Sequence, residues 1–553
     1  MKLTPFAKFF VTLIVLAVVG YTGWHYFGAE IRCWSSPESC KPATPPTNGG
    51  PTANVDTNHV GKDDFSGLAN APADPSRSAP VAAGANVTGN RWQRPLVVGI
   101  NTWAGHAPGV VANLGLAAGN VKSIYKKNYN LDVVFKIIDD PAAKFAAFQA
   151  GQIDIMWDTV DSWAREASIL AEKSVAAKAI IMQDWSRGGD GVVSLASIKS
   201  VEDLAGKKIA TTEFTPSHWL LLYLLSQSGL TPDQKSAIEK SLVITQDAPA
   251  AAAMFKSGKV DAAVTWEPDL SGAVEARGAE AHILVSTTAA TNVIADCLVA
   301  RQEVIDQSPG SIAAFVAGWL DGIDYMKQDP SGSNAVVGDA LKLDNDTVSG
   351  MLSGLKLTPF ADNALFFGLG GTKAHAETLF DTAFRIWRKK GVVTRAVGAS
   401  DWFDSRFVAA LADKYKSQMQ VAEKALPARK VSAKDTPIIN KTLSINFTPG
   451  SDEIMPGSLF TLDSLGETMV SFGNTYLRVE GNTDSTGNRQ SNIALSQKRA
   501  TAVQGYLEKT FNIPKERFQT QGHGPDNPVA ANTTEAGRQL NRRTDIKVIL
   551  ATQ

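Results

Sequence analysis

Hydrophobic and polar positions follow three regimes along the chain. The first is one unbroken apolar run at residues 9–27, "FFVTLIVLAVVGYTGWHYF". It holds no acid and no lysine, and at about 19 residues it has the length that spans a bilayer. Lys2 and Lys8 precede it, which predicts a cytoplasmic N-terminus at residues 1–8. Trp24, Tyr26 and Phe27 suit the far interface. A cleaved signal peptide is the rival reading, but no A-x-A site follows closely, and "AEIRC" before Cys33 is not a lipobox. The second regime, residues 28–92, is dominated from Lys41 onward by Pro, Gly, Ala, Asn, Ser and Thr with few large apolar residues, the composition of a disordered tether.

From residue 93 the pattern alternates between short apolar runs and longer amphipathic ones. "PLVVGI", "LDVVFKII" and "IDIMW" read as strands, with "GVVANLGLAAGNVKSIYKK" and "PAAKFAAFQAG" as helices between them. The alternation resumes with strand "KKIATT", helix "SHWLLLYLLSQSG", strand "SLVITQ", helix "PAAAAMFKSG" and strand "VDAAVTW". Strands separated by helices predict a parallel α/β sheet. Beyond about residue 300 the pattern is mostly helical, and the domain closes near 426. A polar linker, "PARKVSAKDTP" (427–437), leads to a second α/β unit at 438–553. There "KTLSINF", "TYLRVEGNTD", "ERFQTQGHG" and "RRTDIKVIL" read as strands, and "LFTLDSLGETMVSFG" and "NIALSQKRATAVQGYLEKTF" as helices.

Composition narrows the function. Of 553 residues, 44% are apolar and 20% charged, and 54 basic side chains nearly cancel 55 acidic ones. Nothing in that balance points to nucleic acid or to another polyanion, so recognition by charge must be local. Three cysteines cannot build a disulfide scaffold. Cys33 and Cys40 either close a small loop or stay as two thiols, and Cys297 in "VIADCLVA" reads as a small buried hydrophobe. The seven histidines show no H-E-x-x-H or paired spacing, so no metal site, cofactor or catalytic set is predicted. "FFGLGGTKAH" matches neither a P-loop nor a dinucleotide fingerprint and reads as a loop.

Two segments share a strand, a short polar loop and a helix start: "GINTWAGHAPGVV" and "ATTEFTPSHWLLL". Ligands of open α/β sheets settle at such strand ends. The segments "KSVEDLAGKKIATTEFTPSHWLLLYLLSQSGL", "PAAAAMFKSGKVDAAVTWEPDL" and "DDPAAKFAAFQAGQIDIMWDTVDSW" resemble periplasmic solute-binding proteins of the nitrate/sulfonate/taurine transporter type. The resemblance covers about 95–420. It implies a bilobal, type II-like binding-protein fold without catalysis, lobe two lying at about 189–290. Candidate solute contacts are Thr102, Trp103, Trp157, Asp158 and Thr159 in lobe one. In lobe two they are Thr212, Thr215, Ser217, His218, Trp266 and Glu267. Ser217 either offers a helix-start N–H to an anion or simply caps the helix. Trp103, Trp157, Trp185 and Trp266 near Asp158, Asp184 and Glu267 suit a cation, whereas the resemblance favours an anion.

In "GNTDSTGNRQSNIALSQKRA", Asp484 sits in a polar turn, while Asn492, Ser496 and Arg499 share one helix face. A carboxylate and a guanidinium across one gap either pair with each other or clasp a ligand bearing an amine and a carboxylate. "EGNTDSTGNRQSNIALSQKRA" with "GHGPDNPVAANTTEAGRQLNRRTDI" resembles the peptidoglycan-binding domain of the OmpA family, an α/β sandwich, over about 438–551. That resemblance implies that Asp484 takes the amine of diaminopimelate in the stem peptide and Arg499 its carboxylate, with Asn492 and Arg543 in support. Asn482 departs from the family's frequent His but leaves the charged pair intact.

Together these features predict a Gram-negative inner-membrane protein, single-pass, with its bulk in the periplasm and fixed to the wall. It would receive a small polar solute for an ABC-type transporter or act as a membrane sensor. The alternative is a scaffold or stator-like envelope protein whose middle domain binds a protein. Residues 9–27 carry no aspartate for ion passage, so a partner would have to supply one.

Overall fold

Three β-sheets organise the chain. The structure, a computed structural model, describes residues 90–369, 374–418, 435–448, 450–511 and 513–550. The expected membrane span, the tether up to residue 89, Cys33 and Cys40, and residues 419–434 lie outside the described residues. No helix among the described residues is long and apolar enough to cross a membrane.

Lobe one is built on β1 (Leu96–Ile100), β2 (Val133–Ile137), β3 (Ile155–Thr159), β4 (Ala177–Ser186), β10 (Ala295–Arg301) and β11 (Leu355–Leu357), in the order β11-β4-β10-β3-β1-β2. Lobe two carries β5 (Asp190–Leu195), β6 (Ile209–Thr212), β7 (Val243–Thr245), β8 (Ala262–Trp266) and β9 (Ala281–Ser286), in the order β7-β6-β8-β5-β9. All five residues of "LVVGI" in β1 are buried, as befits a strand inside an α/β sheet.

The parallel expectation holds only for the strands joined by helices: β1 with β2 and β3, and β6 with β7 and β8. The chain passes between lobes twice, from β4 to β5 and from β9 to β10. These strands run antiparallel to their neighbours, so both sheets are mixed. The single helix expected over "GVVANLGLAAGNVKSIYKK" is two, Ala107–Asn113 and Ile124–Tyr129. Leu114 at φ 58°, Gly115 at φ 122° and Gly119 at φ 87° turn the backbone out of the helix between them.

Beyond β10 the chain is helical apart from β11. Helix His375–Lys389 bridges the lobes through Trp387, which packs against Phe214, His218 and Trp219 of lobe two. Its indole N–H donates to the Asp161 carbonyl of lobe one at 2.8 Å.

The C-terminal sheet holds β12 (Ile439–Leu443), β13 (Thr475–Asn482), β14 (Phe518–Gly524) and β15 (Thr544–Leu550), ordered β12-β15-β13-β14. Helices Leu459–Ser471 and Arg489–Phe511 pack with it, and a short helix, Glu535–Asn541, joins the set without a sequence expectation. This unit rests on lobe two and on the second crossing. Thr468 donates to Gln227 at 2.6 Å, Asn292 donates to the Val470 carbonyl at 2.8 Å, and the Gly473 N–H donates to Thr291 at 3.0 Å.

Candidate functional site

Strand ends from both lobes bring one chemical type together: buried carboxylates. Asp184 of β4 and Asp296 of β10 are direct register partners, and Asp296 is also the partner of Thr159 on β3. Like charges directly opposite one another in an antiparallel pair repel. Asp190 opens β5 from the other lobe, and Asp158 and Asp161 flank the end of β3. All five aspartates are at most 7% exposed, so each meets its neighbours across protein, not water.

The electrostatics follow from that placement. Burial pushes Asp161 and Asp190 up to about 7. Burial likewise raises Asp184 and Asp296, and for Asp296 the charges of Asp184, Asp190, Asp161 and Asp158 add to the rise. The one buried lysine nearby is occupied: Lys144 Nζ lies 3.3 Å from Asp158 and 3.6 Å from Glu166. Burial works to lower its pKa, but those two carboxylates outweigh it and raise the value. His106 is buried and neutral, its pKa lowered to about 3, with ring nitrogens 2.6 Å from the Asn101 side chain and 2.7 Å from Gln183.

Trp103 lies along this cluster. A β-carbon on Gly105 would meet Asp184 Oδ2 at 1.9 Å and Trp103 Nε1 at 2.7 Å, so only glycine lets the carboxylate approach the backbone there. A β-carbon on Gly189, in the first crossing, would meet the far edge of Trp103 at 3.0 Å. Thr287 in the second crossing ties the two crossings together, bonding Ser186 at 2.9 Å and the Gly188 N–H at 2.8 Å.

The other expected solute contacts spread more widely. The Thr102 N–H donates to Asp139, Trp157 has Lys144 over its ring at 4.7 Å, and buried Thr159 sets its side chain against Asp161, where it partly offsets the effect of burial. Thr212 bonds Thr245 at 3.0 Å. Thr215, not Ser217, caps helix Pro216–Gln227, which leaves Ser217 buried in the first turn with its hydroxyl unpartnered. His218 packs against Phe214 and Trp387, and its pKa falls to about 4 through burial. Trp266 is the register partner of Asp190, while Glu267 accepts from the Ser271 hydroxyl at 2.5 Å and N–H at 3.1 Å. Asp161, Asp190 and Asp296 were not among the expected residues. For Asp296 a lone acid in an apolar run, "IADCLVA", is a signal, whereas Asp161 in "DTVDSW" and Asp190 in "RGGDGV" carry no such mark.

The second candidate centre is the turn after β13. Asp484 Oδ2 accepts from Arg542 at 2.6 Å, and Oδ1 accepts from the Thr486 N–H at 2.8 Å. Burial opposes the carboxylate, but these donors hold its pKa below the ordinary value. Asn492 donates to the Thr486 carbonyl at 2.9 Å and so braces the turn. Arg499 Nε donates to the Ser451 carbonyl at 3.0 Å, and the guanidinium lies 4.9 Å from the Phe447 ring centre. Burial lowers the Arg499 pKa; Asp452 and Asp484 offset this in part, and Arg542 adds to it, so these charges share one field. Arg543 turns elsewhere, to Asp545 at 2.9 Å and the Asn527 carbonyl at 3.1 Å. Asn482 bonds Asp545 at 3.1 Å.

Known proteins match this chain in two blocks. Residues 127–333 match the family described as NMT1/THI5 like, and residues 446–542 match the OmpA family. "Probable lipoprotein YiaD" of Escherichia coli is 37% identical over 112 residues, 20% of this chain and 51% of that protein. Outer membrane protein Omp38 of Acinetobacter baumannii is 34% identical over 105 residues, 19% of this chain and 30% of that protein. The chain thus spans about half, or less, of these curated relatives. Among solved structures, the periplasmic aliphatic sulphonate binding protein SsuA from Escherichia coli aligns at 18% identity and a TM-score of 0.44, over 56% of this chain and 97% of that one. The peptidoglycan-associated lipoprotein from Burkholderia pseudomallei aligns at 27% identity and a TM-score of 0.18, over 19% of this chain and 88% of that one.

Proposed function

From a chain that joins an NMT1/THI5-like domain to an OmpA-family domain, we propose a solute receptor of the cell envelope fixed to peptidoglycan. The observation that carries the wall half is the Asp484 turn. A carboxylate held ionised by its donors stands in the same field as Arg499, which among the described residues donates through Nε to Ser451 and lies over the Phe447 ring. Two opposite charges so placed complement a group bearing both an amine and a carboxylate, which is the diaminopimelate of a stem peptide. The receptor half is supported by two lobes joined by two crossings, with polar groups at facing strand ends, an arrangement suited to closure on a small ligand.

In this reading residues 9–27 anchor the chain in the inner membrane and the tether lets the receptor stand off from it. Solute capture then serves an ABC-type permease or signals to a membrane partner. Fixation at both ends favours a stationary receptor over a diffusing shuttle, and the protein performs no chemistry of its own.

The test is co-sedimentation of the full chain with purified sacculi. Arg499→Ala should lose about 2–5 kcal/mol of binding, because the ligand's carboxylate loses its counter-charge. Wild-type retention of that variant on sacculi overturns the assignment.

A further inference from the structure

Domains joined by a polar segment such as "PARKVSAKDTP" move independently by default. The C-terminal unit instead bonds to lobe two in one place and to the second crossing in another. At the first place, the Val201 N–H donates to the Ile438 carbonyl at 3.0 Å. Beside it, one oxygen of Glu202 accepts from the Gly229 N–H at 2.9 Å and the Asn440 N–H at 3.3 Å, and so joins the two units. At the second place, the Gly473 N–H donates to Thr291 at 3.0 Å. Next to Gly473, wholly buried Phe472 sets its ring 6.2 Å from that of Tyr223 in lobe two.

Glycines mark both places. A β-carbon on Gly229 would stand 2.1 Å from the Asn440 carbonyl oxygen, and one on Gly473 would stand 2.4 Å from Thr291 Oγ1. Neither glycine has a positive φ, so its own backbone would accept a side chain, and it is the facing unit that excludes one. Asn292, in the second crossing, holds three groups at once. Its N–H and side-chain amide donate to the Ser471 and Val470 carbonyls at 3.0 and 2.8 Å. Its side-chain oxygen accepts from Arg187 of the first crossing at 2.9 Å. One hinge residue thus grips both the other crossing and the C-terminal unit.

We propose that lobe two and the C-terminal unit are one rigid body, coupled to the hinge by Asn292, so that closure of the receptor swings lobe one alone. The proposal rests on the two-lobed receptor reading above and adds which lobe moves and what restrains it. Crossings that serve as a hinge change their backbone angles as the lobes close. With Asn292 bonded to Arg187, Val470 and Ser471, that change disturbs its grip on the C-terminal unit, and whatever strengthens the grip opposes closure. A load on the C-terminal unit and a solute in the cleft therefore act on one equilibrium, each biasing the other.

The test is spin-label distance measurement on the full chain carrying Cys33→Ser and Cys40→Ser, with labels at exposed positions. One pair joins Ala237→Cys in lobe two to Thr501→Cys in the C-terminal unit; the other joins Ala146→Cys in lobe one to Ala237→Cys. The first pair should give one narrow distance, the same with and without purified sacculi, and the second a broader distribution. Asn292→Ala should widen the second further and leave the first narrow, since Thr291, Gln227 and Glu202 still hold it. Arg187→Gln supplies the same readout should that variant fail to fold. Gly229→Ala should lengthen or split the first distance, and Gly473→Ala should do so less, because a threonine side chain yields more readily than a backbone carbonyl. A first pair that is broad in the unaltered chain, or that ignores Gly229→Ala, overturns the rigid body. A second pair broad in the unaltered chain but indifferent to Asn292→Ala overturns the coupling alone. A second pair as narrow as the first in both chains takes the two-lobed receptor reading with it.

Discussion

The two candidate sites treat an aspartate in opposite ways. At the turn after β13, Asp484 meets Arg542 at 2.6 Å and a backbone N–H at 2.8 Å, and its pKa is drawn down. Between the lobes, Asp184 faces the Trp103 indole and the Asp296 carboxyl, neither of them a cation, and burial pushes its pKa up. Both residues lie at the end of a strand, so position in the fold does not separate them. Compensation does. The first site is kept ionised by its donors. The turn thus sets an ionised carboxylate among arginines, and the cleft gathers acids that burial keeps protonated.

The comparison breaks most forcefully at Lys144, which among the described residues is the buried lysine that neutralises acids between the lobes as Arg542 neutralises Asp484. Lys144→Met removes it from between Asp158 and Glu166, all three nearly inaccessible. Breaking a buried pair strands its partner, so stability should drop by about 3–5 kcal/mol, measured by denaturant unfolding of the full chain. A loss under about 1 kcal/mol would show that water reaches these carboxylates.

A pH series tests the same contrast more gently. Asp161 and Asp190 rise from 3.8 to about 7, so between those values the folded chain holds protons that the unfolded chain has released. Stability must then fall as pH rises through that window. Asp184, Asp296 and Glu166 act in the same direction, while His106 and His218, with lowered values, act against it. Lys144 remains charged throughout. Asp484 runs the other way: its stabilising contribution is present above the ordinary carboxylate range and lost as pH falls through its depressed value. The acids outnumber the histidines, so the ligand-free chain should melt lower at pH 8 than at pH 5, and Asp161→Asn should flatten that slope. An unchanged slope in the variant would remove Asp161 from the titrating set.

What the sequence made legible follows the same division. The turn and helix of the C-terminal unit lie within one continuous stretch, so spacing could place Asp484 in a turn and Asn492 and Arg499 on one helix face, while their roles came from the resemblance. Arg543 was expected to contribute, whereas it is Arg542 that reaches Asp484. The two arginines differ by one position just before β15, and the direction each takes depends on the register that starts there. In the cleft, Trp103 and Asp158 were legible as strand-end residues. Asp190 and Asp296 were not, because they sit on β5 and β10, strands that carry the chain between lobes. No helix lies within those crossings to give the alternating pattern that marked the others. Cross-strand pairing of Asp184 with Asp296, more than 100 residues apart, is set by topology and has no local signature.

Arg542→Ala should have the smallest effect of the series on folding. The guanidinium is 39% exposed, and its bonds to Asp484 and Glu535 lie at the surface, where water and salt compete with them. The expected cost is no more than about 1 kcal/mol, shrinking further in high salt, against several for Lys144→Met. Its effect on Asp484 should be plainer: without its strongest donor the carboxylate pKa climbs back toward 3.8, observable by titration of the side-chain carboxyl resonance. Should the variant instead destabilise the chain as much as Lys144→Met does, the turn would be a structural ion pair, and its ligand-binding role would have to rest on Arg499 alone.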